Sequence, residues 1–259
     1  AYHASTPKTV WGHYGFSEEQ VAGGDFNAQM FNSFLDGTKS ALEMAAVANA
    51  CDLQVPESGL GFPACGVDDL PALLKPAQDG GLLPRKGMVE VVSSVERDGR
   101  PVFRDLRWGV YAVFHAPSSY VRDCFLQYGL KTDVSGWYAA MYKPYHLIGL
   151  ELGISVASVA LRKEATGATG AFVGDVLACA KRDLKAGEVL DGEGGFTVYG
   201  KLMPATESLR MSALPIGLAH RLTLRNNIGA GQIVTWNDVD YDATHSAIRI
   251  RRLMESEFK

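Results

Sequence analysis

Two stretches in the last third of the chain repeat one pattern 44 residues apart. RDLKAGEVLDGEG at 182–194 and NNIGAGQIVTWND at 226–238 both read polar, apolar, small, Ala-Gly, polar, apolar, apolar. Ala186-Gly187 and Ala230-Gly231 mark a shared turn, each followed by a β-branched residue, Val189 or Ile233, that starts a short strand. Two copies are too few to stack as a solenoid. The duplication therefore predicts a pseudo-twofold β-rich module over roughly residues 172–242.

The other constraining stretch is Asp25–Ala50, DFNAQMFNSFLDGTKSALEMAAVANA. Helical spacing places Phe31, Phe34, Leu35, Leu42 and Ala45 on one stripe, the one expected to be buried. A second stripe, Asn32, Asp36, Lys39 and Glu43, is wholly polar, and three- and four-residue steps stack these side chains on one face. That face is either wet and laced by salt bridges, or it looks into a cleft where an acid and a lysine move protons. Gly37 sits mid-pattern, at a cost of roughly 1 kcal/mol against Ala. It either admits a close neighbour or splits the segment into two helices at Asp36–Gly37.

Composition bounds the classes. With 47% hydrophobic and 21% charged residues the 259-residue chain has the make-up of a globular protein of two modest domains, or of one domain with an appendage. A net charge of −4 gives no footprint for nucleic acid. No apolar run is long enough to span a bilayer, and no basic run suggests a membrane surface. Cys51, Cys65, Cys124 and Cys179 lie far apart without CxxC or Cys/His pairs, and no histidine pair has ligand spacing, so neither zinc nor a disulfide framework is expected. A reducing, cytoplasmic setting follows. Ala1 opens the chain without a signal core.

Between these landmarks, Ser17-Glu18-Glu19-Gln20 starts a short helix, and residues 51–76 form a structured loop with a short helix near Val67–Leu74. GLGFPACG resembles GxGxxG only superficially, because it contains Pro63 and does not run from a strand into a helix. From Gly87 the period changes to two, predicting strands at Met88–Val95, Val102–Arg107 and Gly109–Phe114 with a turn at Asp98-Gly99. Ser118–Tyr128 reads as an amphipathic helix and Tyr145–Leu161 as a long apolar one. Lys143, Tyr145 and His146 cluster at the mouth of the latter, where free N–H groups favour an anion.

The duplicated x-[DN]-[LI]-x-AG-x-[VI] pattern resembles the SAF (antifreeze-like) module of sialic acid synthases, flagellar assembly chaperones and some sugar-acid dehydratases. The region before it, through LDGTKSALEMAA, the strand array ending WGVYAVFHAPSSY and the helix-mouth segment, resembles the substrate and oligomerisation part of homoserine-dehydrogenase-like NAD(P)-dependent oxidoreductases. The combination is most similar to the SAF-containing oxidoreductases that include 1-deoxy-D-xylulose 5-phosphate reductoisomerase-like enzymes. Such enzymes begin with a Rossmann domain, and nothing in the first 50 residues supplies strand–GxGxxG–helix. The resemblance thus implies the C-terminal catalytic portion of a longer enzyme, binding dinucleotide poorly by itself and not turning over.

That resemblance implies an α+β fold. A mixed or antiparallel sheet with covering helices over residues 1–164, for substrate, catalysis and oligomerisation, precedes a small β-rich SAF-like module over 165–259. It implies a homo-oligomer acting on a small polyol, sugar-derived or sugar-phosphate substrate, with NAD(P) bound mainly by a domain absent from this chain. Lys39 would be the general acid/base, with its pKa set by burial and by Asp36, although the family spaces the two by four residues where here they are three apart. Asp36 and Asn32 would orient substrate hydroxyls, and Lys143 with His146 would hold a phosphate or carboxylate tail. His13 in WGHYG either completes the site or belongs to a hinge packed by Trp11. A sugar-acid binding module and a dehydratase-like lyase remain alternatives.

Overall fold

The computed structural model describes residues 1–258. In chain order the elements are α1 (Val10–Tyr14), α2 (Glu18–Gly23), α3 (Ala28–Leu35), α4 (Thr38–Cys51), α5 (Leu70–Leu73), β1 (Val110–His115), α6 (Ser119–Gln127), β2 (Lys131–Thr132), β3 (Tyr138–Lys143) and α7 (Leu152–Ala157). They continue as β4 (Gly174–Ala180), β5 (Val189–Asp191), β6 (Val198–Pro204), α8 (Ala205–Met211), β7 (His220–Leu224), β8 (Val239–Asp240) and α9 (Ser246–Glu257). The fold is α+β, and its sheets are small and antiparallel, ordered β1-β3-β2, β4-β6 and β5-β7-β8. No helix among the described residues is long and apolar enough to cross a membrane.

The elements form two compact units, residues 61–168 and residues 1–60 together with 169–259. In the second of these, β4 is buried along its whole length, pairing with β6 and bridging to Pro215 and Ile233. The run Gly174–Ala180 is apolar apart from Asp175, which Arg251 and Ser208 hold, because neither of its faces meets water. The duplication folds as a twofold. Leu184 and Ile228 exchange backbone hydrogen bonds of 2.8 and 2.9 Å. Asp183 Oδ1 accepts from Ala230 N–H at 2.8 Å, while Asn227 Oδ1 accepts from Ala186 N–H at 2.9 Å. Gly187 N–H reaches Leu224 O and Gly231 N–H reaches Ala180 O, both at 2.8 Å. Each of these contacts has its mate 44 residues on.

In the unit of residues 61–168, Cys65, Leu70, Leu74, Leu106 and Ala140 form the buried cluster, with Tyr111, Val113 and Tyr142 of the sheet packed against it. The strand expected at Gly109–Phe114 is β1, and the helix expected at Ser118–Tyr128 is α6, capped by Ser118 Oγ on Val121 N–H. Strand β3 carries no period-two signal that the sequence reading used. Two expected strands are absent. Met88–Val95 makes only single bridges, because the Glu90 carboxylate takes the N–H groups of Gly61, Phe62 and Val91 that a ladder would need. Val102–Arg107 is broken by Arg104 at φ 51°.

The expected long helix over Tyr145–Leu161 is also corrected. Helical turns begin only after Gly149, which has φ 83°, and α7 passes into a wider π-turn at Ser158–Arg162 that Lys163 ends at φ 60°. Leu150, Ile154 and Leu161 are exposed there.

The single helix read over Asp25–Ala50 is two. Asp36 caps α3, Gly37 turns at φ 90°, and α4 begins at Thr38. The buried stripe is inverted as well. Asn32, Ser33, Asp36, Thr38, Ala41 and Ala48 lie inside, whereas Leu42 is exposed. Phe31 and Phe34 are half-buried, Phe31 among the rings of Trp11, Tyr14, Phe16 and Phe26. Small and polar side chains let α3 and α4 approach β6 and its neighbouring loop closely enough for hydrogen bonding, which large apolar ones would prevent.

Candidate active site

The joint between α3 and α4 is held from the β-module side. Gln29 Nε2 donates to Asp191 O and Glu193 O, both at 2.9 Å, and Asn32 Nδ2 donates to Gly194 O at 2.8 Å and Ser5 O at 3.1 Å. Gly200 N–H of β6 donates to Thr38 Oγ1 at 2.8 Å. His3 donates from Nδ1 to the Asp36 carbonyl at 2.7 Å, its ring stacked 4.4 Å from Tyr199.

Asp36 itself is fully buried, and the ammonium beside it belongs to Lys181, with Nζ 2.8 Å from Oδ2. Its other oxygen accepts the Thr38 N–H at 2.9 Å, so the carboxylate both ends α3 and starts α4. Burial pushes the Asp36 carboxyl up from its ordinary range, while Lys181 and Thr38 act against that rise. Ser5 Oγ and Asn32 Oδ1 have no hydrogen-bond partner among the described residues, and Asp36 Oδ2 has only the ionic contact.

Lys39, the next residue but two, points elsewhere. Its Nζ lies 2.5 Å from Glu43 Oε1 and 5.2 Å from the centre of the Phe34 ring, and the side chain is 30% exposed. Asp36 and Lys39 therefore do not form the pair that a continuous helix places on one face. Asn32, too, is fully buried, so in this conformation neither it nor Asp36 presents an atom to a molecule arriving from solvent. His13 is exposed at the end of α1, its ring 4.6 Å from Tyr2.

Lys143 and His146 lie in the other unit and meet over one carboxylate. Lys143 Nζ pairs with Glu151 Oε1, and His146 Nδ1 is 3.5 Å from Glu151 Oε2. Leu147 N–H donates to Oε2 at 3.1 Å, and the Lys143 ammonium lies 4.7 Å over the Tyr145 ring. Lys143 holds the Glu151 carboxyl below its usual range. The anion expected at this helix mouth is thus the chain's own Glu151, the N-cap of α7. Lys181 was the residue missed. No periodicity links positions 36 and 181, and its only sequence signal is that it directly follows the apolar run Val176–Ala180.

In sequence order the chain is an α+β region followed by a duplicated β-module. The comparisons give both parts: residues 176–240 match the SAF domain, and residues 1–152 match the catalytic domain of oxidoreductase DRL. That second match covers more than half of the chain, which therefore belongs to the DRL oxidoreductase family. None of the curated proteins matches the chain.

Proposed function

We propose that this chain is the catalytic portion of an NAD(P)-dependent oxidoreductase, homoserine-dehydrogenase-like or reductoisomerase-like, acting on a small polyol, sugar-derived or sugar-phosphate substrate. The residues described here do not fit the dinucleotide. The stretch Gly59–Gly66, superficially like GxGxxG, has its Gly61 and Phe62 N–H groups occupied by the Glu90 carboxylate at 3.0 and 3.4 Å, and no helix opens from it. NAD(P) is assigned, on resemblance, to a domain outside these residues, and no step through it is derived.

What this chain supplies is a proton. Lys39 stands in the first turn of α4, partly exposed and braced by Glu43 and Phe34, and its ammonium gives a proton to a substrate carbonyl oxygen as that carbon is reduced. In the reverse direction the amine takes the proton from the hydroxyl. The N-terminal end of α4 favours the negative charge that develops on that oxygen. Asp36 shapes the turn without touching substrate. The observation that carries this reading is a partly exposed lysine that directly follows Thr38, which Asp36 and Gly200 hold through its N–H and its hydroxyl.

Lys39→Ala in the intact protein, assayed by pyridine-nucleotide absorbance against a panel of hydroxyketone and aldose phosphates, is expected to lose roughly 100-fold or more in kcat. Turnover close to wild type removes Lys39 from the chemistry.

A further inference from the structure

Gly174–Ala180 is buried throughout, and the chain then places a lysine, Lys181, whose side chain is only 2% exposed. A buried ammonium needs acceptors for its protons. Lys181 has three: Asp36 Oδ2 at 2.8 Å, Ser5 O at 2.8 Å and Gly195 O at 2.7 Å. The Asp36 carboxylate passes this hold onward, because its second oxygen accepts the first N–H of α4, that of Thr38. Gly200 of β6 grips the Thr38 hydroxyl, and Lys39 is the next residue. Between Asp36 and Thr38 stands only Gly37, at φ 90°, a residue with wide conformational freedom.

From this chain of contacts we infer that Lys181 of the SAF domain is a positioning residue for the reaction: through Asp36 it fixes the first turn of α4 and with it the direction of the Lys39 ammonium. The inference rests on the reading of Lys39 as the proton donor. It gives the SAF domain a task, which is to complete the rear wall of the catalytic turn. A neutral side chain in place of Lys181 leaves Asp36 as an uncompensated buried charge, which opens the turn or protonates.

The test uses the full chain and the variant Lys181→Met. Amide exchange at Thr38 and Lys39 is expected to become about tenfold faster, while Leu177 and Leu202 in β4 and β6 exchange as in wild type. The pH profile of Lys39 modification by trinitrobenzenesulfonate, read by peptide mapping, is expected to change rate by roughly threefold, with exposed Lys8 and Lys185 unmoved. An unchanged Lys39 profile and an unchanged Thr38 exchange rate overturn the proposal. If Lys181→Met does not fold, Asp36→Asn decides. It keeps an acceptor for Thr38 N–H and removes the charge that Lys181 holds, so an unmoved Lys39 profile there again overturns the proposal. Full turnover in Lys39→Ala removes the catalytic reading and leaves this coupling standing, whereas an unmoved Lys39 in Lys181→Met removes the coupling alone.

Discussion

Asp133, in the unit of residues 61–168, is the counterpart that shows what a well-satisfied buried carboxylate looks like. Lys75 Nζ lies 2.8 Å from its Oδ2, Ser135 Oγ donates at 2.8 Å, and Tyr138 N–H donates at 3.2 Å. Burial pulls the Asp133 pKa up, but Lys75, Ser135 and Tyr138 outweigh it and hold the carboxyl below the usual range. A folded value below the unfolded one of about 3.9 means that its stabilisation is present above that pH and is lost as pH falls through the folded value. Asp133→Asn is therefore expected to lower Tm at neutral pH, with the difference closing as pH falls below the unfolded value and through the lower folded one in a series of thermal melts. A difference that stays constant throughout the acid range excludes the linkage. Asp36 has the opposite sign. Its raised pKa makes its proton-linked contribution largest in acid and smaller as pH rises, so the two buried acids separate in one titration.

Elements in this chain meet through backbone as much as through side chains. Gly194, at φ 68°, lies so close to α3 that a Cβ there would stand 2.0 Å from Gln29 O and 2.9 Å from Ser33 N. Gly194→Ala is expected to cost about 2 kcal/mol or more in urea unfolding, since it adds both left-handed strain and a backbone clash. A loss under about 0.5 kcal/mol shows that the loop moves off α3 freely. Local signals along the chain were readable. Ser17 and Gln20 form the capping box of α2, and Asp98-Gly99 makes its turn with Gly99 at φ 87°. The face of α3 and α4 was not readable, because the hydrophobic stripe identifies the core only where the neighbour is apolar. Here the neighbour is the polar backbone of a β-loop, so Asn32, Asp36 and Thr38 face inward.

For the molecule as a whole, the duplication carries the most predictive weight. Asp183 and Asn227 occupy equivalent places and make equivalent bonds across the pseudo-twofold, to Ala230 and Ala186. Asp183→Ala and Asn227→Ala are each expected to lose about 1 kcal/mol and to differ little, measured by denaturant midpoint at neutral pH. A large asymmetry makes one half of the SAF domain the dominant support. The unit that contains this domain is assembled from both ends of the chain, with residues 1–60 beside 169–259. A reading that moves along the sequence does not reveal such a partnership, because contacts between positions 32 and 194 or 36 and 181 leave no period behind.

From the sequence alone came the doubled Ala-Gly turn and the module it builds, the α+β class, the amphipathic helix α6, and β1. Those features are written in neighbouring residues, where spacing and turn chemistry act over a few positions. Only the tertiary structure decided which ammonium faces Asp36, which face of α3 is inside, and that Glu151 sits between Lys143 and His146. Each of these depends on what lies across the contact, and burial makes a carboxylate take whichever cation the fold delivers to it.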